Sequence, residues 1–216
     1  MLMRTARKPY WGIVLTAALI LAVGCGQHSR TSDEGRIRPL PPEISPLLRQ
    51  VVEGASKQTS HTVYYDSSYV EIAYPGGDVP LERGVCTDVI VRAFRKGGVD
   101  LQQTVHEDMQ RDFAAYPTKW GLKKPDTNID HRRVPNLRTY FERAGKALAI
   151  SSKPEDYLPG DVVTWDLGSG VDHIGIVTNA WSDRSKSYMM VHNIGSGAKL
   201  ENVLFAWRIT GHYRYF

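Results

Sequence analysis

The chain has 216 residues, 42% hydrophobic and 23% charged, with 27 Lys and Arg against 23 Asp and Glu and two cysteines. That composition is ordinary for a globular protein and excludes wholesale disorder, collagen, a coiled coil and a disulfide-rich miniprotein. The length suits one domain of roughly 100–200 residues with its own core, plus a tail.

The first 24 residues read as an address. Arg4, Arg7 and Lys8 form a positive start with no acid among them, and Trp11 to Val23 are all apolar or small. This run is shorter than the roughly 20 residues of a bilayer span and has the layout of a secretory signal. Leu21-Ala22-Val23-Gly24-Cys25 resembles the bacterial lipobox, which implies that Cys25 is lipidated and becomes the mature N-terminus. Gly26 follows where an Asp would retain the protein at the inner membrane, so the same resemblance implies an outer-membrane lipoprotein facing the periplasm. Residues 25–216 carry 24 basic against 23 acidic groups, so the basic surplus belongs to the signal and no nucleic-acid partner is expected. With Cys25 lipidated, Cys86 is the one remaining thiol and has no internal disulfide partner, which is unusual in an oxidising compartment.

Residues 25–42, polar and ending in Pro39-Leu40-Pro41-Pro42, read as a flexible tether, and 43–216 as the folded domain. Apolar residues from Leu47 to Ala55 recur with helical period, and Ser45-Pro46 suits the start of that helix. An irregular extended stretch with Tyr64, Tyr65, Tyr69 and Tyr74 follows. Helices are predicted over Cys86–Lys96, stopped by Gly97-Gly98, then over Thr104–Ala115 and Pro135–Ala144. Short segments rich in Val, Ile and aromatics follow, at Ala147–Ile150, Val162–Trp165, His173–Thr178, Tyr188–Ile194 and Trp207–Tyr215, separated by Gly-containing turns. Helices first and strands afterwards predict an α+β fold with an antiparallel sheet.

The free thiol opens the second helix. Unpaired N–H groups and the helix dipole favour a thiolate there, Gly84 would let a substrate approach the backbone, and the Cys86 N–H could serve an oxyanion. A thiol nucleophile needs a base, and His173 begins an apolar strand where a helix N-terminus can face it, with Gly175 on the same side. The base needs an orienting partner. The next strand offers His192 and Asn193 on opposite faces, with His192 favoured because Met190 and Ile194 share its face, and Asn193 left possible.

Gly-x-Cys at a helix start, Leu158-Pro159-Gly160-Asp161-Val162-Val163, His173-Ile174-Gly175-Ile176-Val177 and His192 occur in an order that resembles the NlpC-type superfamily of papain-like bacterial cell-wall amidases and endopeptidases. The resemblance implies a papain-like α+β domain, N-terminal helices packed on a small antiparallel sheet, with Cys86 as nucleophile, His173 as base and His192 as orienting residue. A departure is Val85-Cys86-Thr87-Asp88, where the acid follows the cysteine and does not precede it. His106-Glu107-Asp108-Met109, His131 to Leu137 and Gly211-His212-Tyr213-Arg214-Tyr215 resemble a YijF-like group of exported bacterial proteins of unknown function.

Several further residues have weaker claims. Arg132 and Arg133 could fork a substrate carboxylate, and Tyr65 could assist an oxyanion. His106 and Asp108 could pair, although their helix reads as surface, and His212 reads as structural. A zinc site on Cys86, His173 and His192 lacks the paired spacing of such sites, so no metal or organic cofactor is expected. The segment 116–134, rich in Pro, Lys and Asp, is a candidate for specificity. The expectation is an envelope-anchored cysteine amidase or endopeptidase acting on peptidoglycan stem peptides through an acyl-enzyme. The rivals are a non-catalytic envelope binding protein and a cysteine acyltransferase or transpeptidase. Oligomeric state is not legible.

Overall fold

The computed structural model describes residues 35–216. The expected signal, Cys25 and the tether up to residue 34 lie outside the described residues. Among the described residues, no helix is long and apolar enough to cross a membrane.

The first element, β1 (Arg36–Ile37), pairs antiparallel with residues 180 and 181. Next to it the Arg38 N–H donates to Asn179 O at 2.8 Å, Asn179 Nδ2 donates back to Arg38 O at 2.8 Å, and the Arg38 guanidinium lies 3.3 Å over the Trp181 ring. The tether reading is therefore corrected for residues 36–38. Their composition is that of a linker, but backbone pairing and an Arg–indole stack fix them to the sheet.

α1 (Pro46–Lys57) starts as its sequence predicts, with the Ser45 hydroxyl accepting the Leu48 N–H at 3.1 Å and proline in the first turn. β2 (Tyr64–Tyr65) and β3 (Arg83–Gly84) form a parallel pair that delivers the chain to α2 (Cys86–Lys96). On α2 the apolar stripe Val89, Ile90, Ala93 and Phe94 is completely buried. Its larger side chains stabilise the fold by about 1.5–3 kcal/mol each. α3 (Leu101–Arg111) begins three residues before the predicted start because the Asp100 carboxylate accepts the Gln102 N–H and caps it. Phe113 falls in a 3-10 turn beyond its end. α4 (Val134–Arg143) carries Pro135 in its first turn.

The second half of the chain supplies β4 (Ala147–Leu148), β5 (Val162–Asp166), β6 (Asp172–Ser182), β7 (Ser187–Asn193), β8 (Ala198–Glu201) and β9 (Arg208–Tyr213). They lie in the order β4-β9-β5-β6-β7-β8, antiparallel throughout, with β1 joining on β6. One face of this sheet, through Ile174, Ile176 and Val191, closes the core with α1 and α2. The other carries Val163, Trp165, Val177 and Met190, packed on Tyr157 and Leu204. The chain is thus α+β, N-terminal helices on an antiparallel sheet.

Candidate active site

Cys86 occupies the first position of α2 and is buried. Burial dominates its chemistry, pushing the thiol up to about 12, and the nearby Asp88 charge adds to this. Hydrogen bonds from the backbone N–H groups of Ile174, Thr87 and Cys86 itself act in the opposite direction and are outweighed. A thiolate from helix-terminal placement alone was the expectation. In this packed conformation the thiol is protonated at neutral pH, because desolvation exceeds what the helix terminus supplies.

The acid after the cysteine has a structural duty. Asp88 Oδ2 accepts the Val85 N–H at 2.7 Å, and both Asp88 oxygens are forked by Arg132, Nε and Nη2 each at 3.0 Å. A Cβ on Gly84 would stand 2.9 Å from Asp88 Oδ2, so this glycine makes room for the carboxylate and not for a substrate. Arg132 also donates to Ser68 O and Asp66 O and is itself buried. It is not free to bind a substrate carboxylate, because the carboxylate it forks is Asp88. Arg133 stands apart from that pair. It lies 4.3 Å over the Trp120 ring and lines a cleft of about 270 Å³ beside Cys86. Tyr65, Lys119, Trp120 and Val134 line the same cleft, so the segment 116–134 does reach the thiol. Tyr65 is placed there by its pairing opposite Gly84, and its phenol is raised above the usual tyrosine value, first by burial and then by the Cys86 and Asp88 charges.

The strand register arranges the histidines. Trp165 lies opposite His173 and Gly175 opposite His192, so His173 and His192 share a sheet face and meet diagonally. His173 Nε2 and His192 Nδ1 are 2.9 Å apart. Asn193 turns to the other face, where its Nδ2 donates to Gly84 O at 2.9 Å. It therefore braces the loop before Cys86 and does not meet His173. The Trp165 ring stacks on His173, 5.7 Å between centroids and 26° between planes, and Trp207 closes the other side. The space left by Gly175 takes the Trp165 ring and the Val191 carbonyl, each about 3 Å from where a Cβ would be. Burial holds both imidazoles neutral. His173 falls to about 3, by burial and then by its neighbour His192. His192 is lowered by burial first, with the Glu201 charge opposing.

The two histidines are thus joined on one face of the sheet, and the Cys86 side chain belongs to the core on the other. The thiol packs in one core cluster with Ile174, the residue after His173, on the helix side of β6, whereas the His173 ring lies on the Trp165 side. Among the described residues no hydrogen bond joins the thiol to an imidazole, and His173 Nδ1 makes none.

The remaining candidates fall outside the site. His106 and Asp108 are buried and not paired. His106 packs edge-on to Tyr74, while Asp108 accepts from the Tyr116 hydroxyl at 2.7 Å and from Arg143 Nε at 2.6 Å. Reading them as surface residues missed how closely the 3-10 turn Asp130–Arg132 and α4 cover α3. His212 is structural as expected, 2.8 Å from Asp161 and stacked on Tyr157. Sequence reasoning missed Trp165, Trp207 and Glu201. Trp165 was available from strand alternation, since it lies one hairpin across from His173. Glu201 lies on β8, which no alternation marks.

Residues 52–215 match the family model described as "Domain of unknown function (DUF1287)". The chain is 55% identical over 166 residues to a protein of Escherichia coli (strain K12) called "Uncharacterized protein YijF", covering 77% of this chain and 80% of that one. A solved structure from Staphylococcus aureus subsp. aureus Mu50, described as similar to lipoprotein and of the NLP/P60 family, is 14% identical with a TM-score of 0.39. That match covers 83% of this chain and 43% of the other, so the chain spans less than half of that structure's length. So loose a superposition carries no weight for the site.

Proposed function

The chain belongs to the DUF1287 family, and from the thiol and paired imidazoles at one end of its sheet we propose that it is a cysteine amidase or endopeptidase. The observation that carries this is the 2.9 Å contact between His173 Nε2 and His192 Nδ1, with a helix-terminal cysteine packed in the same core cluster as Ile174, the residue after His173. His173 Nδ1 takes the thiol proton as the sulfur attacks an amide carbonyl, then returns it to the leaving amine. A thioester remains, and water activated by the same nitrogen releases the acid. With both partners neutral at rest, proton transfer accompanies attack. The cycle calls on no metal or organic cofactor. The substrate we propose is a peptidoglycan stem peptide, met by a lipoprotein anchored through Cys25 in the outer membrane and facing the periplasm.

A thiol-directed amidase probe tests the reading. Labelling of Cys86 that disappears in His173→Ala supports it. No labelling, with unchanged muropeptides after incubation with the purified protein, overturns it. The burial of Cys86 favours the rival of a non-catalytic binding protein, and that result would select it. Release of a free acid marks a hydrolase, and a new amide a transferase.

A further inference from the structure

His192 Nε2 is wholly buried and without an aligned hydrogen-bond partner, yet Glu201 Oε2 stands 2.9 Å from it. At that distance only the angle is at fault, and a small rotation of the partly exposed Glu201 side chain, 41% accessible, corrects it. Both residues lie on one face of the β7–β8 pair, with Glu201 diagonal to His192 and Lys199 directly opposite it. Those two charges demand opposite things of the ring. A carboxylate accepts a proton from Nε2, whereas an ammonium can only donate to it.

We propose that Glu201 is a positioning residue that sets the tautomers of both histidines. This deepens the hydrolase reading and rests on it. With Glu201 accepting the Nε2 proton of His192, the Nδ1 of His192 keeps its lone pair and accepts the Nε2 proton of His173. The Nδ1 of His173 is then bare and able to accept a proton. Were Lys199 to donate to His192 Nε2 instead, each proton would move to the other nitrogen and His173 Nδ1 would carry hydrogen, unable to accept one. Glu201 moves no proton in the reaction. It faces the imidazolium through a neutral ring and holds the geometry in which that imidazolium forms.

Long-range 1H–15N correlation spectra of histidine-labelled protein read the tautomers directly. The wild type is expected to carry protons on Nε2 of both His173 and His192. Glu201→Ala shifts a measurable fraction of both to Nδ1–H, and Glu201→Gln, whose carbonyl still accepts, restores the wild-type pattern. In parallel, alkylation of Cys86 by iodoacetamide at neutral pH slows about tenfold in Glu201→Ala and recovers in Glu201→Gln. Unchanged tautomers in Glu201→Ala overturn the proposal, whatever the thiol does. Shifted tautomers in a protein whose Cys86 resists the amidase probe sustain the role of Glu201 and bring down the hydrolase reading alone. Glu201 is on an edge strand and partly exposed, so both variants are expected to fold, which circular dichroism verifies.

Discussion

The buried pair of Asp88 and Arg132 has the largest consequence of any single contact near the thiol. Arg132 is 2% exposed and Asp88 4%, measured on their side chains, so neither can fall back on water. Arg132→Met leaves a carboxylate buried beneath the loop that leads into α2. Its expected cost is about 3–5 kcal/mol, read as a shift in the guanidinium unfolding midpoint. The double variant Asp88→Asn with Arg132→Met removes the stranded charge and should recover a large part of that loss. Failure of the double variant to recover anything would mean that the backbone bonds to Ser68 O and Asp66 O, and not the ion pair, are what Arg132 supplies. Arg133, one residue on, faces the cleft, and Arg133→Ala is expected to cost more than about 1 kcal/mol in the same unfolding measurement, because it takes from Asp130, whose side chain is 1% exposed, its charge partner at 3.5 Å.

Among the elements, α2 was fully legible, because its apolar period, its cysteine start and its double glycine stop agree on the same bounds. α3 was legible only in outline, since its start depends on the Asp100 side chain turning back on Gln102 N–H. β8 was not legible at all. Ala198-Lys199-Leu200-Glu201 is too short to show alternation, and its place comes from β7. Site geometry divides the same way. Alternation put His192 and Asn193 on opposite faces, and only the register of β6 with β7 shows which of them meets His173. The raised thiol and the partner of Arg132 depend on segments 44 or more residues away in sequence and leave no local mark. β1 was hidden for the same reason, being two residues whose pairing is tertiary. A chain starting at residue 39 loses that pairing and the Arg38–Trp181 stack. It should be less stable by about 1–3 kcal/mol in chemical denaturation, with Cys86 labelling unchanged. A loss of labelling would show that β1 supports the site through β6.

At the scale of the molecule, buried histidines set the response to acid. His106, His131, His173 and His192 are all held below the ordinary histidine value, first by burial in each case, His131 to about 4 and His173 to about 3. The unfolded chain takes up these protons near pH 6.5 and the folded chain only below it, well below it at His131 and His173. The unfolded state therefore binds more protons in that window, and stability falls as pH drops. Asp130 works the other way. Burial raises it to about 6, so the folded state gains its proton before the unfolded state does. The histidines outnumber it. Denaturation midpoints should decline from pH 7 to about 4.5, with a slope of about 1.4 kcal/mol per pH unit for each net proton. His131→Gln should make that decline shallower by about one proton. A flat profile in the wild type would show that these rings are not held neutral.

The strand pairing of Arg36 and Ile37 also fixes a length. Under the anchoring proposed for Cys25, 11 residues separate the lipid from the paired strand at Arg36, where the composition had suggested 17 to Pro42. At about 3.5 Å per residue the leash reaches at most roughly 40 Å instead of 60 Å. Two paired residues thus trim by a third the depth of the layer that a membrane-held domain can search, without touching the chemistry it would perform there.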